Sequence, residues 1–166
     1  MILKLSLDLP EDHEYVRTTR LLSRTLLDDL WVVSEDKEDI EIIVFELCTN
    51  VVRHARSTEG RYQLVIEYHR EKAVVTVEDR GSGFVPEAIP PPGTERPDEL
   101  LGGERIGGFG VPLVNALSDR LQFEPTEPQG MKIRAEKALH YQSWEAKNRA
   151  GRMDSGDGAE LNASSE

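Results

Sequence analysis

Glu46, Asn50 and His54 are spaced by four in the segment Glu46-Leu-Cys-Thr-Asn50-Val-Val-Arg-His54-Ala55. On a helix that spacing makes a slanting polar stripe. A carboxylate and a carboxamide one turn apart, at the edge of an apolar face, suit hard-cation and proton-transfer chemistry. Asn50 can offer its carbonyl oxygen to Mg²⁺, and Glu46 can take a proton or orient a nucleophile. A second cluster, Asp79-Arg80-Gly81-Ser82-Gly83-Phe84, directly follows a strand pattern. An Asp held at a strand end can accept a hydrogen bond from an exocyclic amine, and the glycines let backbone approach a flat ligand. A third, Gly107-Gly108-Phe109-Gly110, opens a helix pattern, where bare N–H groups and the helix dipole favour an anion. Taken singly these read as an amphipathic boundary, a strand-end turn and a plain glycine turn. Their order along one chain, with a long loop between the second and third, is what carries weight.

The elements that must position these residues can be read from periodicity. Leu3, Leu5, Leu7 and Leu9 alternate with Lys4, Ser6 and Asp8, a strand closed by Pro10. A helix is expected from Glu11 to about Trp31, with Val16, Leu22, Leu26, Leu27 and Leu30 on its apolar face and the acidic Glu11-Asp12 at its start. Ser34 is the expected cap of a second helix reaching Ala55. That helix carries a clean stripe of Ile40, Ile43, Val44, Leu47 and Val51, while Ile42, Phe45 and Val52 on other faces predict cover on more than one side. Strands at 62–68 and 73–78 flank a turn at His69–Lys72, and 121–123 and 131–136 are expected to close the sheet around a turn at 125–130. Between them, residues 84–105 are rich in Pro, Gly and acid and have no apolar period, as expected of a lid. Pro112 is tolerable in the first turn of the helix that follows.

The chain has 166 residues with 20 Lys+Arg against 31 Asp+Glu, a net charge of −11, and 38% hydrophobic residues. That length suits one domain of roughly 100–150 residues with a tail. The acidic balance argues against direct nucleic-acid binding, which draws on clustered Lys and Arg. A single Cys48 excludes an internal disulfide and a cysteine-based zinc site. No apolar run approaches membrane-spanning length and no leader pattern is present, so a cytoplasmic protein with no membrane partner is expected.

Helix E-x-x-T-N-x-x-x-H-A, strand then D-R-G-x-G-F, and G-x-G opening a helix resemble the N and glycine boxes of GHKL-type ATPases. The E-L-C-T-N-V-V-R-H-A wording looks most like the bacterial anti-sigma factor serine/threonine kinases, over about residues 1–138. The resemblance implies an α+β two-layer sandwich, the Bergerat (histidine-kinase-like ATPase) fold. Its mixed, mostly antiparallel sheet would carry helices on one face and an ATP lid. It implies a domain over 1–138; beyond it, the residues themselves suggest a marginal helix at 139–150 and a Gly/Ser/Asp-rich disordered tail at 151–166. ATP and Mg²⁺ are the implied cofactors. By similarity Glu46 is the catalytic base, Asn50 the Mg²⁺ ligand and Asp79 the acceptor for the adenine amine, with Gly81 and Gly83 beside it. Gly108, Gly110 and Arg105 would lie against the phosphates, and His54 would be structural. The implied partners are a STAS-type anti-anti-sigma protein and a sigma factor, with a homodimer as a further expectation. Two departures stand out: Met131 follows Gly130 where the family carries Thr, leaving Thr126 or a water to substitute, and the lid is long. They motivate an alternative, a non-catalytic nucleotide-gated binding module. A histidine kinase catalytic domain is disfavoured, since too little chain precedes the second helix for a dimerising hairpin.

Overall fold

The computed structural model describes residues 1–55, 57, 59–81 and 110–142. In chain order these form β1 (Leu3–Pro10), α1 (His13–Asp29), α2 (Ser34–His54), β2 (Arg61–Tyr68), β3 (Lys72–Asp79), α3 (Gly110–Leu117), β4 (Arg120–Pro125) and β5 (Met131–Ala138). The strands make one five-stranded sheet in the order β1-β2-β3-β5-β4. Every pairing is antiparallel, where the expectation allowed a mixed sheet.

Period-2 alternation sends one side of each strand into the core. Tyr62, Leu64, Ile66 and Tyr68 of β2, Ala73, Val75 and Val77 of β3, and Met131, Ile133 and Ala135 of β5 are all buried. They meet the α2 stripe Ile40, Ile43, Val44, Leu47 and Val51, every member of which is at most 2% exposed. The opposite sheet face carries cross-strand ion pairs such as Lys4–Glu67 and Lys132–Glu78. Such exposed pairs add little stability, so the helix-covered face holds the fold together.

Helix α1 starts one residue after its cap. Asp12 Oδ1 accepts the Glu14 N–H at 3.0 Å, so the expected acidic opening is the cap itself. Its buried face is Val16, Thr19, Ser23 and Leu27, whereas Leu22 is 43% exposed. The two hydroxyls are satisfied inside: Thr19 donates to the Val16 carbonyl, and Ser23 hydrogen-bonds the Tyr68 hydroxyl at 3.1 Å. Of the expected stripe, Val16 and Leu27 are buried and Leu26 and Leu30 pack on the core, so only Leu22 falls off the face that Thr19 and Ser23 complete. α1 is clamped to α2 by Arg20 and Arg24, which both bind the buried carboxylate of Glu41, at 3.0 and 2.8 Å.

Ser34 does not cap α2. The cap position is Val33, with no side-chain hydrogen bond, and Ser34 is the first helical residue. Glu35 and Asp36 in the first turn and Arg53 and His54 in the last complement the helix dipole instead. α2 packs on α1, α3, β3 and β5, so it is covered on more than one side as expected, with Val52 against the core, while Ile42 and Phe45 remain 37% exposed. The expected helix at 139–150 is not seen in its first residues: 139–142 are extended, and 143–150 lie outside the described residues.

Candidate functional site

One end of the sheet collects the residues singled out by type and spacing. Asp79 is the last residue of β3, directly opposite Tyr62 at the start of β2 and Met131 at the start of β5. Only 6% of Asp79 is exposed. Burial pushes its carboxyl above the ordinary range; the Gly81 N–H pulls it back, Glu11 adds to the rise, the Met131 N–H lowers it and Glu78 raises it. The Gly81 N–H donates to Asp79 Oδ1 at 2.8 Å. An ionised carboxylate has about four lone-pair sites, so acceptor capacity remains for a ligand donor. The Thr126 hydroxyl donates toward the Asp79 carbonyl at 3.5 Å. Thr126 thus borders Asp79 from the main-chain side, while the buried Met131 sits across from it.

The chain leaving β3 runs hard against the end of α2. A Cβ placed on Gly81 would lie 1.8 Å from the Ala55 carbonyl oxygen, so only glycine fits there. This contact ties the strand bearing Asp79 to the helix bearing Glu46 and Asn50.

Glu46 and Asn50 lie on one flank of α2, both partly exposed. Burial raises the Glu46 carboxyl, and the positive charge of Arg53 lowers it in part. α3 begins against this carboxylate: a Cβ on Gly110 would stand 2.9 Å from Glu46 Oε2. The start of α3 therefore faces the Glu46 carboxylate. His54 is exposed, and the residue coupled to Glu46 is Arg53. Sequence reasoning passed over Arg53; the signal was available, since a residue seven on from Glu46 returns to the same helix flank.

The described residues thus bring together Glu46, Asn50, Asp79, Gly81 and Gly110. Gly83, Arg105 and Gly108 lie outside the described residues, as does the expected lid at 84–105. A cavity of about 580 Å³ opens at the other end of the sheet, beside Ile2, Arg70, Lys72 and Asp119, away from this chemistry. Among the described residues, no three His, Cys, Asp or Glu side chains form a metal cluster. Any cation held at Asn50 would need most of its oxygen ligands from elsewhere, as Mg²⁺ obtains from substrate phosphates and water. The arrangement fits such a ligand: a buried acceptor at one end, and a carboxamide and carboxylate beside a helix start at the other.

Comparison with known proteins agrees with this geometry. The family described as histidine kinase-like ATPase domain matches residues 9–137. The serine-protein kinase RsbW of Halalkalibacterium halodurans is 30% identical over 124 residues, covering 72% of this chain and 75% of that protein. The RsbW of Listeria innocua is 34% identical over 122 residues, covering 70% and 76%. Among solved structures, the RsbU and RsbW domains of Rv1364c from Mycobacterium tuberculosis superpose with a TM-score of 0.60 at 16% identity, over 85% of this chain and 35% of that one. The SiaB–SiaC complex from Pseudomonas aeruginosa gives 0.60 at 15% identity, over 80% and 88%. At these identities the two structures speak for the fold, which is that of the histidine-kinase-like ATPases.

Proposed function

The chain belongs to the histidine kinase-like ATPase domain family, in its RsbW serine-protein kinase branch, and from that premise we propose that it is an ATP-dependent protein serine/threonine kinase acting as an anti-sigma regulatory factor in a partner-switching circuit. The observation that carries this reading is the placing of Glu46 and Asn50 on one flank of α2, with the start of α3 against the Glu46 carboxylate and Asp79 buried at the end of β3.

In this reading Asp79 accepts a hydrogen bond from the adenine amine, and Gly81, packed on the end of α2, lies beside it. The helix start at Gly110 faces the phosphates. Glu46 takes the proton of the substrate serine hydroxyl as its oxygen bonds to the γ-phosphorus and the bond to the β-phosphate oxygen breaks, leaving ADP. Burial suits Glu46 to that task, because a carboxylate with raised proton affinity is the stronger base. Asn50 would hold Mg²⁺ through its amide oxygen, and the ion would supply neutralisation of phosphate charge. Gly83, Arg105 and Gly108 keep the roles that the family resemblance implies: Gly83 beside the base, Gly108 and Arg105 against the phosphates.

The acceptor we assign is a small STAS-type anti-anti-sigma protein, with a sigma factor held in a separate complex and a homodimer as the working unit. Among the described residues no helix is long and apolar enough to cross a membrane. A non-catalytic nucleotide-gated module is not favoured, since the curated relatives are kinases and this chain keeps the Glu46–Asn50 pair. The test is Glu46→Gln in a transfer assay with ATP and a STAS-domain acceptor. Nucleotide binding should persist while phosphoserine on the acceptor disappears; a fully active variant would sink the assignment.

A further inference from the structure

The matched family region ends at residue 137, and the chain then crosses from the end of β5 to the junction of α1 and α2. Leu139 is buried in the core, and its N–H donates to the Glu71 carbonyl at 2.9 Å. The Val33 N–H donates to the His140 carbonyl, and the Gln142 N–H to the Trp31 carbonyl, both at 2.9 Å. Val32 and Tyr141 form an antiparallel bridge between them. Trp31 is held with φ at 59°, a conformation a bulky residue adopts only when its surroundings impose it. Three residues, His140 to Gln142, thus pair with the connection that launches α2, while Leu139 is tied to the β2–β3 turn.

The tightest contact is to α2 itself. Asp36, in the first turn, is only 4% exposed. Its Oδ2 accepts both the backbone N–H of His140, at 2.5 Å, and the ring Nδ1, at 3.0 Å. A buried carboxylate is tolerated only when such donors surround it. One turn further along, Asp39 binds Lys137 at 2.6 Å. The other end of α2 is fixed by Gly81 against Ala55. A helix pinned at both ends cannot tilt on the sheet, and Glu46 lies roughly 15 Å from Asp36 along its axis.

We propose that residues 139–142 are a strap that sets the pose of α2, with Asp36 and His140 as positioning residues for Glu46 and Asn50. The inference rests on the kinase reading for the roles of those two residues. It predicts that loosening the strap disturbs the phosphate end of the site, carried by α2, more than the adenine end, carried by β3.

Calorimetry on the full chain would compare Mg-ATP with ADP in EDTA for wild type, Asp36→Ala, Asp36→Asn and His140→Ala. Asp36→Ala should weaken Mg-ATP roughly fivefold or more while leaving magnesium-free ADP within about twofold, since small displacements of reacting groups are costly. His140→Ala, which keeps the backbone donor, should fall between, and Asp36→Asn, which keeps an acceptor, should recover much of the loss. Equal weakening of both nucleotides, or of neither, would overturn the proposal, because a strap that merely adds stability cannot favour one end. Hydrogen exchange across α2 separates this from the kinase reading. Should wild type bind no nucleotide, the kinase reading fails alone. Lost protection at 46–54 in Asp36→Ala would then still uphold the strap, and unchanged protection would overturn it.

Discussion

Glu46 and Gly110 meet so closely that a methyl on Gly110 would stand 2.9 Å from Glu46 Oε2. The obstacle is the tip of a side chain that can swing, so the fold can absorb the methyl while the carboxylate cannot keep its place. Gly110→Ala should therefore leave the thermal midpoint within about 2 °C of wild type and cut phosphate transfer at least tenfold. Parallel melting and transfer assays check this. A variant that melts early and transfers normally would show that the contact serves packing instead.

Gly81 predicts the reverse balance. A Cβ there would come within 1.8 Å of the Ala55 carbonyl oxygen and 2.6 Å of its Cα, and backbone has nowhere to go. Gly81→Ala should cost about 3 kcal/mol or more, seen as a lower urea midpoint, because the end of β3 and the end of α2 must separate.

These two glycines also mark where the sequence was informative. The α2 stripe and the strand alternation were readable because apolar residues recur at 3.6 and 2 along them, and burial follows that period closely. Glu46, Asn50 and Asp79 were singled out by spacing and neighbours, and the fold sets the first two on one flank of α2 and buries the third at the end of β3. The apolar face of α1 was readable apart from Leu22, but Thr19 and Ser23 were missed because they enter the core by bonding the Val16 carbonyl and Tyr68, a satisfaction that hydrophobicity cannot foresee. The start of α2 was misjudged by one residue because Val33, whose N–H bonds the His140 carbonyl, takes the cap position and draws Ser34 into the helix. That carbonyl lies more than a hundred residues away, and no local pattern announces it.

In the proposed reading Asp79 trades stability for nucleotide binding. Burial raises its carboxyl in the fold, so the folded chain holds this proton to a higher pH than the unfolded chain does. Stability is then lost as pH rises from the ordinary Asp range through the raised one, and the cost of the buried charge stays at neutral pH. Asp79→Asn keeps an oxygen for the Gly81 N–H and carries no charge. It should melt at or above the wild-type temperature at pH 7, with the gap closing toward about pH 4. In the proposed site its ATP affinity should fall at least tenfold, because with its oxygen on the Gly81 N–H the amide turns an NH2 donor toward the adenine amine. Melting curves across pH, paired with calorimetry, would expose an error in either half.

The pH profile of transfer should report on Glu46 and Arg53 together. Burial raises Glu46, and the charge of Arg53 offsets part of that rise. A general base must be ionised, so the acid limb of the rate should lie above the ordinary Glu range, with activity lost as pH falls through it. Arg53→Ala removes the offset and should move the limb further up, whereas Arg53→Lys, which keeps the charge, should leave it near wild type. Arg53 is exposed, so its influence passes partly through solvent and should fade with salt. The wild-type limb is therefore expected to drift upward toward that of Arg53→Ala as ionic strength rises. A limb indifferent to both the substitution and the salt would mean that Glu46 is not the group titrating in transfer.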